Sequence, residues 1–240
     1  MKFIIVVPTI RKELPGFDET MQQLRDSLTQ PSDVILLDGA GGKVPALNLA
    51  YDEILVPGDF DIYVTVDDDY VIEPGWQDDV VAAFSALPDA GVVAPYYGDD
   101  PEMQSLMGPD SYSDWTEMDG IRVRKLHKMR HIPGGLLAFR RDVAVKVGKQ
   151  PSTGIHYEVY EDAWRGRMVQ KLGYNAYYVD TERPKLITYP DPEEYLRQKA
   201  ADITESRRIM DEVMGKDKIA DPLSWRLRRW VAKVRGRAVD

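Results

Sequence analysis

The sequence contains no cysteine and only three histidines among its 240 residues. Without cysteine the chain forms no disulfide and offers no thiolate to a metal, a composition that fits a reducing compartment. The N-terminal stretch MKFIIVVPTIRKE carries an apolar run far too short to span a bilayer, and it lacks a small-residue cleavage site. We therefore expect a first β-strand here rather than a signal, and a cytoplasmic protein.

Apolar residues make up 43% of the chain, which is enough for the core of one large α/β domain or two small ones. Short Val- and Ile-rich runs alternate with segments of helical spacing: KFIIVVP, FDETMQQLRDSLTQ, DVILLDG, VPALNLAYDEIL, FDIYVTV, GWQDDVVAAFSAL and AGVVAPYY. This alternation predicts an open, mostly parallel sheet that helices cover on both faces.

Residues 97–131 interrupt the alternation, because Gly, Pro, Asp and Ser occur throughout them and periodicity is weak. We predict a long loop region with room for a short hairpin, of the kind that forms lids or binding segments. Beyond it, GGLLAFRRD predicts a strand, YEDAWRGRMVQKLGY a helix that ends at Gly173, and NAYYV another strand. After Pro184 the segment PEEYLRQKAADITESRRIMDEVM predicts a C-terminal helical extension.

Charge is distributed unevenly along the chain. Residues 224–240 carry a net charge of +5, which leaves −14 for the other 223 residues of a chain whose total is −9. Apolar residues of this tail fall on one helical face, namely Leu223, Leu227, Trp230, Val231, Val234 and Ala238. Such a basic helix binds an anionic membrane surface, binds nucleic acid, or packs on the protein's own core, and all three readings stay open.

Three consecutive aspartates, Asp67, Asp68 and Asp69, directly follow the strand FDIYVTV. In open α/β sheets ligands bind beyond the carboxyl ends of the strands. Adjacent carboxylates repel one another unless a cation or hydrogen-bond donors offset them, and Mg²⁺ or Mn²⁺ with phosphate oxygens does this well. The alternative is an acidic turn without further function.

Five segments, taken in the order in which they occur, resemble the family 2 glycosyltransferases of the GT-A fold. They are VVPTI, VILLDGAGG, VTVDDDYVIEPGW, HIPGGLLAFRRD and YEDAWRGRMVQKLGYNAYYV. The resemblance covers about residues 3–180. It implies a metal-dependent, inverting enzyme that moves a sugar from a nucleotide diphosphate donor, by family habit a UDP-sugar, to an acceptor hydroxyl. It also implies a nucleotide-sugar-binding half over residues 1–98, an acceptor-binding half over 99–190 and a helical extension over 191–240.

The same resemblance assigns roles to individual residues. Asp38 would contact the nucleotide base, Asp67 the ribose and the metal, and Asp69 the Mn²⁺ or Mg²⁺ ion. Asp162, with Glu161 beside it, would supply the general base, although acidic residues in a first helical turn also act as caps. Together the nucleotide-binding candidates are Pro8, Thr9, Arg11, Asp38, Lys43, Asp67, Asp68, Gly134 and Gly135.

The sequence also departs from that pattern and permits alternatives. The segment KLITYPD has Tyr189 and no histidine where many GT-A enzymes take a further metal ligand, and the Gln-x-x-Arg-Trp motif of processive synthases is missing. PTIR, VDDDY and YEDAWRG also resemble the reversibly glycosylated polypeptides, which are sugar-nucleotide mutases of the same fold. YVTVDDDYV also fits the haloacid-dehalogenase-like phosphohydrolases, with Asp67 as nucleophile and Asp69 as acid. A sugar-nucleotide-binding module without activity is a further alternative, against which Asp162 argues.

Overall fold

The fold is taken from a computed structural model that describes residues 1–10, 12–96, 112–127, 132, 135–155, 161–180 and 185–186, with residues 197, 202, 205, 208, 209 and 212. In chain order its elements are β1 (Phe3–Thr9), α1 (Phe17–Asp26), β2 (Ser32–Asp38), α2 (Lys43–Ala50), a π-helix (Tyr51–Leu55), β3 (Ile62–Val66), β4 (Tyr70–Val71), α3 (Trp76–Ala86), β5 (Ala90–Pro95), β6 (Thr116–Met118), β7 (Ile121–Lys125), β8 (Leu136–Arg140), α4 (Arg141–Val147), α5 (Glu161–Lys171), β9 (Asn175–Val179) and β10 (Lys185–Leu186). The described residues beyond 190 are all helical, as the sequence predicts for the extension.

Eight of the strands form one sheet in the order β2-β1-β3-β8-β5-β9-β7-β6. β1 pairs in parallel with β2 and β3, and β5 pairs in parallel with β9. β8 is antiparallel to both of its neighbours, β3 and β5, while β7 is antiparallel to β9 and β6. In this sheet only β8 and β7 therefore run against the other strands, and the predicted mostly parallel α/β architecture is confirmed.

The central strands are apolar because helices cover them on both faces. Every residue of β1 and β3 is buried. α1 buries Phe17, Met21 and Leu24 at helical spacing. Trp76, the first residue of α3, packs edge-on against Phe3 with the ring centroids 6.0 Å apart. The helices thus fix the position of β1, which ends with Pro8 and Thr9, and of β3, which leads into the aspartate segment.

The strand predicted from GGLLAFRRD is correct in position and wrong in its last two residues. β8 ends at Arg140, and α4 begins at Arg141. The guanidinium of Arg140 donates to the carbonyl oxygens of Phe84 and Leu87 at the end of α3, and to that of Ala90. Because it donates to carbonyls at the C-terminal end of α3, Arg140 holds the strand end against that helix.

The helix predicted from VPALNLAYDEIL is also more complex than expected. α2 is regular only as far as Ala50, and the chain continues as a single π-helical turn in which Val56 N–H donates to the Tyr51 carbonyl at 3.0 Å. Single π-turns of this kind are inserted within or at the end of α-helices.

The hairpin expected within residues 97–131 is present. β6 and β7 pair antiparallel, and Met118 faces Ile121 across a two-residue turn. Asp119 and Gly120 in that turn have φ values of 48° and 81°, which matches the preference of Asp-Gly for tight hairpins. Residues 97–111 and 128–131 of this predicted loop region lie outside the described residues.

Candidate functional site

The candidate site lies at one edge of the sheet, where β1, β2 and β3 all end. Thr9 pairs with Asp38 at the last register position of β1 and β2, and β3 leads directly into Asp67. Two helices begin nearby, α2 at Lys43 and α5 at Glu161. Because a helix N-terminus carries the positive end of the macrodipole, this edge favours negatively charged ligands.

Three charged side chains meet at the centre of this edge. Lys43 Nζ lies 2.6 Å from Asp67 Oδ1 and 2.5 Å from Glu161 Oε1. Burial raises the pKa of Asp67 to about 7; Lys43 opposes this rise, whereas Glu161 and Asp69 add to it. Burial lowers the pKa of Lys43, but Asp67 and Glu161 outweigh burial and hold that pKa well above its usual value. The sequence named all three residues, but nothing in the sequence indicated that one ammonium joins the two carboxylates.

The three consecutive aspartates point to different surroundings. The Asp67 carbonyl accepts a hydrogen bond from Tyr70 N–H at 3.2 Å, which closes a turn around the triplet. Asp68 is buried, and its Oδ2 accepts a hydrogen bond of 2.6 Å from the Thr9 hydroxyl. Asp69 is half-buried, close enough for its charge to raise the pKa of Asp67. Thr9 and Asp68, both nucleotide-binding candidates, therefore also join the end of β1 to the turn after β3.

The backbone of Gly39, just beyond the end of β2, lies in close contact with the last residue of β1. Gly39 N–H donates to the Thr9 carbonyl at 2.9 Å, and a Cβ on Gly39 would lie 3.0 Å from that oxygen. Asp38 is exposed, and its Oδ1 accepts a hydrogen bond from Ala40 N–H at 2.9 Å. Ile10 lies against Gly39 and is 46% exposed. Sequence reasoning missed Ile10, because an isoleucine at a strand end is typical of the strand itself.

The segment before β8 lies directly beside the aspartates. Asp67 N–H donates to the Gly135 carbonyl at 2.9 Å, so this glycine is adjacent to the triplet. Ile132 is completely buried, and a Cβ on Gly166 of α5 would lie 3.0 Å from it. This close packing holds the middle of α5 against the segment before β8. Gly134 itself lies outside the described residues, as does Arg11.

α5 supplies the predicted catalytic pair from its first two residues. Glu161 binds Lys43, as described above, while Asp162 Oδ1 accepts a hydrogen bond of 2.6 Å from Ala163 N–H. Both acids sit in the first helical turn, where negative charge is stabilised.

The remaining nucleotide-binding candidate that the structure describes is Pro8, which is buried within β1, opposite Leu37 of β2. The candidates whose contacts converge at the centre of the edge are Thr9, Lys43, Asp67, Asp68, Gly135 and Glu161.

Two further properties of the described part of the chain bear on function. No three or more His, Cys, Asp or Glu side chains in these ranges form a group that could hold a metal ion by themselves. Among the same residues, no helix has both the length and the apolarity that crossing a membrane requires. Tyr189 and the basic segment 223–240, about which the sequence made predictions, lie outside the described residues.

No family model and no curated protein matches this chain. Solved structures do match. The mannosyltransferase PcManGT from Pyrobaculum calidifontis, in complex with GDP-Man and Mn²⁺, has a TM-score of 0.56 at 15% identity, covering 98% of this chain and 76% of that one. TarS from S. aureus (residues 1–349) has a TM-score of 0.53 at 14% identity, covering 90% and 66%. The chain therefore has the fold of the GT-A glycosyltransferases.

Proposed function

We propose that this protein is an inverting, metal-dependent glycosyltransferase, related to family 2, that moves a sugar from a nucleotide diphosphate donor to an acceptor hydroxyl. The observation that carries the proposal is the convergence of Lys43, Asp67 and Glu161 at the strand edge, between two helix N-termini. We assign donor binding to residues 1–98, acceptor binding to residues 99–190, and reaction chemistry to the boundary between them.

The donor is held, in this proposal, by groups of opposite character. The diphosphate takes the side of Lys43 and the two helix N-termini, because these supply positive charge and unpaired N–H donors. The base takes the corner formed by Asp38 and Gly39, where Ile10 offers an exposed apolar surface. We take UDP as the nucleotide from the sequence resemblance; GDP is the alternative to test first, since the PcManGT complex contains GDP-Man.

The residues present fit a divalent cation that takes most of its ligands from phosphate and water. The charges of Glu161 and Asp69 both act on Asp67, in opposition to the charge of Lys43, so several carboxylates lie close together here. Burial, together with Glu161 and Asp69, raises the pKa of Asp67 to about 7. Mg²⁺ and Mn²⁺ bind with one or two carboxylates plus substrate phosphates, so Asp69 and Asp67 would suffice as protein ligands. A bound cation would stabilise the charge that develops on the departing diphosphate.

The remaining chemistry concerns the acceptor. Asp162 accepts the proton of the attacking hydroxyl while the acceptor oxygen bonds to the anomeric carbon and the bond from that carbon to the diphosphate oxygen breaks. One such displacement inverts the anomeric configuration. Glu161 is engaged with Lys43, and we therefore assign it to positioning Lys43 rather than to proton transfer.

The experiment that tests this function measures donor binding and hydrolysis with and without Mn²⁺, using UDP-glucose and GDP-mannose. Asp69→Asn should abolish the Mn²⁺-dependent part of binding and leave the fold intact. Asp33→Asn is the matched control, because Asp33 is an exposed carboxylate near the start of β2, at the opposite edge of the sheet.

Unchanged Mn²⁺-dependent binding in Asp69→Asn would contradict the metal assignment. Release of inorganic phosphate from simple phosphomonoesters, with no turnover of nucleotide sugars, would instead support the phosphohydrolase alternative. Interconversion of sugar ring forms without transfer to an acceptor would support the mutase alternative.

A further inference from the structure

Arg124 occupies an unusual environment on β7. Its guanidinium carbon lies 4.1 Å from the ring centroid of Tyr96, 3.9 Å from that of Tyr112 and 4.5 Å from that of Trp115. All four side chains are partly exposed, and completely buried Tyr178 supports Tyr96 and Tyr112 through edge-on ring contacts. We call Arg124 with Tyr96, Tyr112 and Trp115 the arginine cluster.

The cation of this cluster has no counter-ion in the described part of the chain. Nε of Arg124 is fully enclosed without a hydrogen-bond partner, and no described residue accepts from its other N–H groups. The nearby carboxylate of Asp180 is taken by Arg122, whose Nη1 lies 2.9 Å from Asp180 Oδ2. A partly enclosed guanidinium without an anion is costly, and stacking on aromatic rings offsets only part of that cost.

Backbone contacts hold the aromatic residues of the arginine cluster in place. Tyr112 forms an isolated antiparallel β-bridge with Leu126. Ser113 N–H donates to the Lys125 carbonyl at 2.9 Å, and Lys125 N–H donates to Ser113 Oγ at 3.0 Å. Tyr96 N–H donates to the Val179 carbonyl at 2.8 Å. These backbone contacts fix the rings around Arg124, so the guanidinium is pre-organised. The enclosed Nε is not accessible to a ligand, but the terminal nitrogens of Arg124 are not enclosed in this way. Terminal guanidinium N–H groups are suitable donors to a carboxylate or phosphate.

The arginine cluster lies at the same edge of the sheet as the aspartates. Val66, the residue before Asp67, pairs with Leu136 at the start of β8, and the end of β5 runs along the other side of β8 toward Tyr96. Neighbouring strands are about 4.8 Å apart, so the Tyr96 backbone is about 10 Å from that of Asp67. The Arg124 backbone on β7 is four strand positions from β3, or about 19 Å, and its side chain reaches the Tyr96 ring. The guanidinium therefore lies roughly 10–20 Å from the Asp67 backbone, which suits a second group on the acceptor, a few sugar rings from the reacting hydroxyl, rather than the donor diphosphate.

We propose that the arginine cluster is an acceptor subsite that binds an oxyanion, a phosphate or a carboxylate, carried on or beside a sugar ring. The assignment of this subsite to the acceptor rests on the transferase function proposed above. The binding of an anion rests only on the contacts of Arg124. The oxyanion accepts hydrogen bonds from the terminal N–H groups of Arg124, and the attached ring packs on the exposed surface of Trp115.

The test uses the full-length protein and the NMR resonance of the Arg124 Nε–H group, identified by its absence in Arg124→Gln. The probes are methyl glucoside 6-phosphate, methyl glucuronide and neutral methyl glucoside, so the first two arms distinguish phosphate from carboxylate. We expect at least one anionic probe to shift this resonance saturably, while the neutral glucoside binds about 10- to 100-fold more weakly, the usual worth of a charge-assisted hydrogen bond.

Arg122→Gln is the matched control, because Arg122 lies on the same strand, also contacts Trp115 and already has a carboxylate partner. We expect Arg122→Gln to keep anion affinity and Arg124→Gln to lose it, with nucleotide-sugar binding unchanged in both. Isothermal titration measures the affinities of the two variants, because Arg124→Gln lacks the Arg124 resonance. Three results would each overturn the proposal. The neutral glucoside could bind as tightly as the anionic probes, Arg124→Gln could bind the anionic probes as tightly as the wild type, or neither anionic probe could shift the wild-type resonance. Because wild-type protein alone decides the last outcome, instability of a variant cannot obscure the result.

Failure of the wild-type protein to bind any nucleotide sugar, with anion binding at Arg124 intact, would overturn the transferase function and leave the anion site standing. The two proposals therefore fail on different measurements.

Discussion

Replacing Lys43 by methionine should destabilise the protein and at the same time increase its affinity for Mn²⁺ in the absence of nucleotide. Methionine keeps much of the length and apolar stem of lysine and removes only the ammonium. In the wild type that ammonium bridges Asp67 and Glu161. Without it, the two carboxylates repel each other, and a divalent cation becomes the remaining way to offset their charge.

The size of the destabilisation follows from the geometry. Lys43 Nζ lies 2.6 Å from Asp67 Oδ1 and 2.5 Å from Glu161 Oε1. At an effective dielectric constant of about 20, such contacts each have a gross attraction of about 6 kcal/mol, most of which desolvation offsets. Removing one partner costs about 3–5 kcal/mol for a buried pair and about 0–1 kcal/mol for an exposed pair.

The side chains of Lys43, Asp67 and Glu161 are 28%, 33% and 14% exposed, which is intermediate between those limits. We therefore expect Lys43→Met to lower the free energy of unfolding by about 1–3 kcal/mol. Urea unfolding measures this loss, and Lys149→Met is the control, since Lys149 pairs with Asp52 at the surface, where both side chains are about half exposed.

Adding Glu161→Gln to Lys43→Met should restore part of the stability, because it removes one of the two repelling carboxylates. The reasoning is refuted if Lys43→Met loses no more stability than Lys149→Met, or if Glu161→Gln restores nothing. Isothermal titration with Mn²⁺ checks the second half of the prediction: an unchanged or lower affinity in Lys43→Met would show that Lys43 does not compete for the same carboxylates.

Three other substitutions test separate parts of the site. Asp162→Asn should retain donor affinity but slow transfer by about two to four orders of magnitude, the usual worth of general-base catalysis, and single-turnover kinetics measure this; near-normal transfer would leave Asp162 a helix cap. Gly39→Ala should lower the melting temperature because its Cβ would press on the Thr9 carbonyl, whereas Gly41→Ala has open space around its Cβ; equal melting temperatures would contradict this. Thr9→Val should lower the free energy of unfolding by about 1–3 kcal/mol, because buried Asp68 loses the hydrogen bond from the Thr9 hydroxyl, and urea titration would disprove this by finding no loss.

The part of the fold nearest the N-terminus could be predicted from the sequence because its elements are locally determined. The strands β1 and β2 are apolar runs, and α1 between them has helical spacing. Farther along the chain, the β6–β7 hairpin was also predictable, because Asp119–Gly120 is a strong hairpin signal. The direction of β8 could not be predicted in this way. A Leu- and Ala-rich strand has the same composition whether it pairs parallel or antiparallel, and only its partners β3 and β5 decide.

Within the site, sequence patterns identified single residues better than pairs. The aspartate triplet was conspicuous because it follows a buried strand. The contacts of Lys43 with Glu161 and of Thr9 with Asp68 join residues far apart in the chain, so no local pattern encodes them. The arginine cluster could not be predicted for the same reason: Arg124 lies on β7 and Tyr96 directly follows β5, so their contact depends on the sheet order.

The reversed direction of β8 places the proposed donor groups and the proposed acceptor subsite at one edge of the sheet. β3 and β5 run the same way, so both of them end at this edge, and β8 between them begins there. Gly135, just before β8, consequently contacts Asp67 on one side, and the end of β5 delivers Tyr96 on the other. With a parallel strand in this place, a crossover connection would have to enter from the opposite edge, and the segment before β8 would lie away from the aspartates. The antiparallel strand thus provides a short backbone separator, about two strand spacings wide, between the proposed donor groups and the arginine cluster.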